Sequence, residues 1–538
     1  MWRHDRPGGA GIGANEQASR KHPARAIQTH LSGGLRTCLP LLAALAAPVA
    51  AVAQTPSQSI TGPTRPQPVP LSGRAVPDNP VSTMQQTAPV TAPGDVNVLN
   101  STVVVQGPYV GSRPDGTLSA DTLALTLDAA LKLALRNNLG RLSQDAGVQA
   151  AEGQRLVARS ALLPNINIGA AEVFSKENLR TAGLKTAIIP PSVVFNYDDL
   201  RGLLQQSVLD FVSIHQLHGA TENVKSSMAS ARNARDLIVL AVGGTYLQLT
   251  ATRARLDASR AQQEYAKSVY NRARDQFDAG LAAKLDATRA EVQMETEEQR
   301  SISLQADLDT QSLRLARIIG LPIGQKFAAT DVYAFQPDTG YTLESAMDRA
   351  MKRRQDLLAA AASVRAADAS VKAARSERLP SINIRADAGI AGVAPTQTSL
   401  GVYTVQGIVT IPVYNGGRIA GDEKQATAAQ MQRRAEYEDA HAQVDQDVRQ
   451  AFIQLNAADS QVHLATRNQT LAHESLTQSV DRFVAGVTDT VEVVQAEQAV
   501  VQADDDLITT LYQHNLAKLS LSRAMGSAEE TLPQLLRK

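Results

Sequence analysis

Few side chains in this 538-residue chain have the type and spacing to do chemistry. Two acids, Asp286 and Glu492, each stand six residues past a glycine in matching phrases, Ala279-Gly280-Leu281 and Ala485-Gly486-Val487, and Gln495 follows Glu492 by one helical turn. Carboxylates so placed act through charge, attracting cations or pairing with bases. In "HQLH", His215 and His218 have the i, i+3 spacing that one helix face could offer to a metal. No nearby cysteine or paired carboxylate completes a ligand set, so neither metal nor cofactor is expected. Glu497 and "ADDDL" (503–507) read as ordinary surface charge. The chain has no phosphate-binding loop and no Gly-x-Ser-x-Gly, and its only cysteine is Cys38. Catalysis is unsupported, and the chain reads as something other than an enzyme.

The totals narrow the reading further. There are 53 basic and 53 acidic residues, so charge gives no argument for a nucleic-acid partner. Aromatics are only 4%, and the abundance of Ala, Gln and Leu suits long helices. Lys21, Arg25 and Arg36 precede the apolar "LPLLAALAAPVAAVA" (39–53), which ends on small-x-small. This pattern predicts a signal peptide over 1–53 and therefore export. Cys38 lies ahead of the apolar run, where a lipid-attachment cysteine would follow it, so cleavage leaves no thiol. Residues 54–120 read as a Pro-rich linker with one β-like island, "STVVVQGPYV" (101–110).

Past 120 the chain repeats itself. "LTLDAALKLALRNN" (125–138) matches "YTLESAMDRAMKRR" (341–354), and "ALLPNINI" (161–168) matches "ERLPSINI" (377–384), both offset by 216. "FDAG" and "FVAG" are 206 apart, as are Gly320 and Gly526. The first copy thus holds about ten more residues near 170–200, where loops absorb insertions. The expected organisation is a first repeat over 121–320, a connector over 321–340, a second repeat over 341–526 and a tail over 527–538.

Within each copy the hydrophobic period changes in the same order. An Ala-rich helical stretch (128–160; 344–377) runs to Pro164 or Pro380, which disfavours helix in the preceding residue and switches the chain from helix to strand. Two alternating segments follow, then a long helical stretch (212–276; 418–482), the glycine break, and a further helix (286–319; 491–525). Val444, Val448, Ala451, Leu455, Ala458, Val462 and Ala465 step 4-3-4-3. In the first copy one seam runs through Leu240, Gly244, Leu247, Ala251, Ala254, Ala258, Ala261 and Tyr265, and a second through Ile238, Val242, Thr245, Leu249, Thr252 and Leu256. Such spacing predicts supercoiled helices with neighbours on two sides.

Two β-hairpins between helices, in an exported chain with no 18-residue apolar run, fit an outer-membrane barrel, because only a closed sheet satisfies its backbone in lipid. Phe174, Phe195, Tyr197, Tyr403 and Tyr414 are expected near the lipid interfaces. Four strands cannot close. Two copies would give eight strands and a filled interior, whereas three give twelve and a pore. The expected fold is mainly α with β, with long antiparallel coiled-coil helices and a trimer sharing one 12-stranded barrel. In a trimer Asp286 and Glu492 would each form a ring of three, able to select cations, and isolated solvated acids remain the alternative.

These phrases, together with "RDQFDAGLAAKLDATRAEVQ" (274–293), "IIGLP" (318–322), "IPVYNGGR" (411–418) and "FVAGVTDTVEVVQAEQAV" (483–500), make the chain resemble the TolC-like outer-membrane efflux family over about 121–526. The resemblance implies a homotrimer in outer-membrane lipid, extended by a periplasmic α-helical tunnel. It also implies docking on a periplasmic adaptor (membrane fusion) protein and an inner-membrane pump, making the chain the passive exit duct of a tripartite efflux system. The glycine breaks would cap their helices by positive φ and also serve as adaptor-contact tips. The family pattern places gate acids at Asp286, Glu492 and Gln495, the last being neutral here. The exit duct of a type I protein secretion system uses the same architecture, and a periplasmic coiled-coil scaffold is the alternative from another class.

Overall fold

Proline and glycine set most of the element boundaries. The computed structural model describes residues 81–87, 99–181, 190–331, 335–336, 340–393, 399–485, 487–488 and 490–530. The expected signal peptide and Gly486 lie outside the described residues. β1 (Val81–Thr87) and β2 (Leu99–Val105) precede the first copy, which runs through β3 (Leu123–Leu125), α1 (Leu127–Asn137), α2 (Leu139–Ser160), β4 (Asn165–Asn178), β5 (Ser192–Leu209), α3 (Phe211–Asp278) and α4 (Lys284–Ile319). The second runs through β6 (Phe327–Ala329), α5 (Leu343–Arg353), α6 (Gln355–Ser376), β7 (Ser381–Gly392), β8 (Leu400–Thr410), α7 (Arg418–Val484) and α8 (Thr490–Ala524).

α3 and α7 have 68 and 67 residues, so each is ~100 Å long. α2 and α4 pack along α3, and α6 and α8 along α7, so two shorter helices serve each long one. α6 and α8 also touch α3, which joins the two copies. Every residue of the α7 seam from Val444 to Ala465 is buried. In α3 the two seams part company. Ile238, Val242, Leu249, Thr252 and Leu256 are buried, and the stripe continues through Ser259, Ala266 and Ala273. The seam through Leu240 and Gly244 stays buried only as far as Ala251, and Ala254 and Ala261 face solvent. Two apolar clusters lie midway along the long helices. One gathers Leu127, Ala130, Leu131, Ile238, Val242, Leu315 and Ile319, and the other gathers Ala346, Ala350, Val448, Leu455, Leu521 and Met525.

The single helices expected over 128–160 and 344–377 are each broken. Asn138 separates α1 from α2 and Arg354 separates α5 from α6, both with extended backbone, and the two positions are again 216 apart. The cause is tertiary. Gly320 and Gly526, with φ of +86° and +69°, end α4 and α8 against these breaks. A Cβ on Gly320 would lie 2.8 Å from Arg113 O, and one on Gly526 would lie 2.8 Å from Arg354 N. Only glycine combines that conformation with that approach.

Within the stretch expected to be a linker over 54–120, the described part is folded. β1 and β2 pair antiparallel, with Val81 opposite Val105. Val81 and Tyr109 are buried in the first apolar cluster, and Val103 and Val105 pack against it. In the first hairpin the Leu179 N–H donates to Pro191 O at 3.0 Å. Among the described residues no helix is long and apolar enough to cross a membrane.

Candidate functional site

Helix gives way to strand in the same way in both copies. α2 ends at Ser160 and α6 at Ser376, and two turn residues, a bend at leucine and then Pro164 or Pro380 precede β4 and β7. Asn165 Nδ2 locks the first switch by donating to Ser160 O (3.2 Å) and Leu163 O (3.1 Å). Ion pairs brace the second. Arg418 Nη1 meets Glu377 Oε2 at 2.6 Å, and Arg375 Nε meets Glu423 Oε1 at 2.9 Å, tying α6 to α7.

The strands form one sheet in the order β4-β5-β7-β8. Arg201 lies opposite Gly389, Leu203 opposite Asp387, Ala386 opposite Val405 and Ala388 opposite Tyr403, which assigns each side chain to a face by the period-two rule. One face carries Asp199, Arg201, Gln205, Asn383, Arg385, Asp387, Thr404 and Gln406, with Leu203, Leu400, Val402 and Ile408 among them. The other carries Leu200, Leu204, Ile384, Ile390, Tyr403, Val405 and Val409, with Asp198 and Gln206 as its polar members. Ile166, Ile168 and Phe174 lie on the apolar face, since Gly169, between them in phase, points at Leu203 on the polar one. Ile168 is 80% exposed and Tyr403 81%. A sheet this apolar on one face and polar on the other suits a boundary between hydrocarbon and water. A register shift between Ser207 and Leu209 turns Leu209 to the side of Ile382. On the polar face Arg201 donates to Asp199 Oδ1 (2.6 Å) and Asp387 Oδ2 (3.0 Å), clamping one copy's hairpin to the other's. Phe195 and Tyr197, stacked at 6.2 Å, alternate in phase with Asp199 and so share its face of the sheet. Tyr414, just past β8, is fully exposed.

At the other end of the long helices the chain reverses twice. Ala279 caps α3, Gly280 has φ of +74°, and the Gly280 and Leu281 amides donate to Phe277 O and Gln276 O, both at 2.8 Å. This is the glycine-terminated cap predicted from the phrase. At the second tip the Ala485 N–H donates to Asp481 O and the Val487 N–H to Arg482 O, each at 3.0 Å. Leu281 and Val487 are 81% and 69% exposed, so both tips present an aliphatic side chain to solvent. Asp286 and Glu492 lie in the first turns of α4 and α8, where the helix dipole favours an acid. Arg289 stands 3.8 Å from Asp286, and Arg482 pairs with Glu492 at 3.0 Å, across the second tip. Gln495 is exposed, one turn beyond Glu492.

The acids read as surface charge are placed otherwise. Asp504 accepts from Gln469 at 2.8 Å, and Asp505 pairs with Arg255 at 2.7 Å. Glu497 is buried, as is Glu297 of α4. Burial pushes both carboxyls up, Glu497 to about 7 with the Glu297 charge adding to it. The missed signal was spacing, because Glu497 falls four residues after Val493 and three before Val500, both buried. His215 and His218 lie near the start of α3, and no group of three or more metal-ligating side chains converges among the described residues.

A duplicated set of helical hairpins that carries a two-faced sheet at one end and exposed reversals at the other defines a membrane conduit subunit. The chain belongs to the outer membrane efflux protein family, whose profile matches residues 130–321 and 346–527. It is 24% identical over 386 residues to the outer membrane protein TolC of Escherichia coli K12, covering 69% of this chain and 76% of TolC. It is 23% identical over 409 residues to the pyoverdine export outer membrane protein OpmQ of Pseudomonas aeruginosa, covering 74% and 85%. The crystal structure of the outer membrane protein VceC from Vibrio cholerae superposes with a TM-score of 0.67 at 18% identity, covering 75% of this chain and 97% of VceC. The protein is thus an outer-membrane exit duct of an efflux system, with its helices extending into the periplasm.

Proposed function

We propose that three copies close their four-stranded sheets into one 12-stranded barrel, β8 of each pairing with β4 of the next, and that their helices continue the pore as a periplasmic tunnel. The observation that carries this reading is the sheet itself. Among the described residues β4 and β8 are end strands, and β4 and β8 run in opposite directions, so copies can join antiparallel without a seam. A lipid-facing sheet with open edges is not viable, so closure must come from other copies. The tips, through Ala279, Gly280, Leu281, Ala485, Gly486 and Val487, dock on a periplasmic adaptor joined to an inner-membrane pump, which supplies the energy. Asp286, Glu492 and Gln495 then form rings at the tunnel entrance. The arrangement supports a conduit.

The test pairs assembly with docking. Cysteines placed at facing positions of β4 and β8 should cross-link to a trimer and no further, and the trimer should conduct in a planar bilayer. Leu281→Asp with Val487→Asp should abolish efflux while leaving trimer level and conductance intact. A cross-linked ladder stopping at a dimer, or full efflux by the tip variant, would overturn the corresponding half.

A further inference from the structure

Glu297 and Glu497 have no part in the sheet, the tips or the proposed rings, yet they are 4% and 1% exposed. Glu297 lies on α4 and Glu497 on α8, at the seam where the first copy's helical hairpin meets the second's. Glu297 Oε1 accepts from Gln293 Nε2 at 3.2 Å. Glu297 Oε2, Glu497 Oε1 and Ser259 Oγ of α3 are buried with no hydrogen-bond partner. A buried ionised carboxylate needs a counter-charge, and of the bases around this seam only Arg300 bears on either carboxyl. Arg255 of α3 is held by Asp505 (2.7 Å) and Thr509 (2.6 Å). Arg482 of α7 is held by Glu492, and His473 of α7 faces Asp504 at 3.3 Å. Arg300 of α4 only partly offsets the effect of burial on Glu297, and Arg272 of α3 acts on the Tyr265 phenol, which also feels Glu497.

Two carboxylates buried where α4 and α8 pack cannot both ionise cheaply, so the pair takes up one positive charge. A hard metal ion is poorly served, since calcium takes six to eight oxygens and magnesium keeps several waters. The cavity beside Ser259 and Glu297 is about 10 Å³, room for a single water. We propose that Glu297 and Glu497 form a proton-binding site in which one retained proton keeps α8 packed on α3 and α4, and its release to solvent loosens that seam. The inference concerns helices within one protomer and stands or falls apart from the duct.

The test is hydrogen exchange of α8 amides over 493–503 in the full-length protein in lipid, corrected for the chemical exchange rate. With Glu497 at about 7 against its ordinary 4.5, linkage makes protection fall about tenfold between about pH 6 and pH 8. Glu497→Gln, which mimics the protonated group, should hold its protection across that range. Glu297→Gln should move the fall to lower pH by removing the repulsion, and this second variant keeps the test open if the first does not fold. A flat wild-type profile, an unchanged fall in Glu497→Gln, or protection at high pH that added calcium or magnesium restores would each overturn the proposal.

Discussion

Replacing Asn138 by alanine should open the break between α1 and α2. The side chain is fully buried. Its Nδ2 donates to Tyr109 O (2.9 Å) and Ile318 O (3.2 Å), and its Oδ1 accepts from the Gly140 N–H (2.8 Å), capping α2. Alanine leaves two buried carbonyls without this donor and one first-turn amide without its acceptor. Each such loss costs about 1–3 kcal/mol, the cap itself about 0.5–2, with entering water recovering part. The net local loss is about 3 kcal/mol, or roughly a hundredfold in opening constant. Hydrogen exchange of α1 and the Tyr109–Gly111 segment should speed up by about that factor, while the tips stay as they were. Asn138→Asp keeps the capping acceptor but sets a buried carboxylate oxygen against the Tyr109 and Ile318 carbonyls, so it should open the break at least as far as alanine does. A change of less than about threefold in Asn138→Ala would refute the claim that this side chain holds the break.

Three other outcomes follow from the same geometry. A Cβ on Gly389 would lie 2.0 Å from Leu200 O and 2.7 Å from Arg201 Cα, so Gly389→Ala should prevent the hairpins from joining and abolish assembled trimer on gels, while Gly407→Ala, with nothing within 4 Å, should assemble normally. Gln495→Asp adds a charge to each protomer next to Glu492, and should raise the cation-to-anion permeability ratio in bilayer recordings, roughly twofold or more; an unmoved reversal potential would remove Gln495 from the pore. Burial lowers His514 to about 4, aided by Lys518 and opposed by Asp459, so its contribution to stability is complete above about 6.5 and is lost as pH falls toward 4, a loss of about 3 kcal/mol. Thermal melts near neutral pH and near pH 4 should show that loss in the wild type and less of it in His514→Gln, which cannot charge.

The long helices were legible almost to the residue. Sequence spacing predicted 212–276 and 418–482, and the structure has Phe211–Asp278 and Arg418–Val484. Some sixty residues of consistent period outweigh any local ambiguity, and Pro164 and Pro380 act on their own neighbours, so both signals are local. The breaks at Asn138 and Arg354 were not legible because nothing in "RNNL" or "RRQD" forbids helix. They exist because Gly320 and Gly526, far along the chain, press against them. The β1–β2 sheet was half seen, since Val103 and Val105 alternate visibly, whereas "VSTMQQT" carries too few apolar residues to announce a strand. The cap of the first tip was readable from Gly280 alone. Any ring of Asp286, Glu492 or Gln495 is a property of several chains, and one chain's sequence bears on it only through the resemblance.

Duplication explains both what the repeat reveals and what it hides. Thr126 and Thr342, 216 apart, cap α1 and α5 by accepting at the hydroxyl oxygen from the amide three residues on, so capping survived the divergence of the copies. Seam chemistry did not. The residue 206 positions before Glu497 is Glu291, identical in type and exposed, whereas Glu497 is buried. The cause is position, because α4 packs mainly on α3, whereas α8 packs on both α7 and α3 and has two flanks covered. A carboxylate on α4 at that phase meets water, and the same carboxylate on α8 meets Glu297 and a second helix. Reading either copy by analogy with the other therefore predicts solvent for Glu497. The proton proposed at that seam is a consequence of this asymmetry, so Glu497→Gln should remove the pH response, whereas Glu291→Gln, on an exposed position, should leave it unchanged.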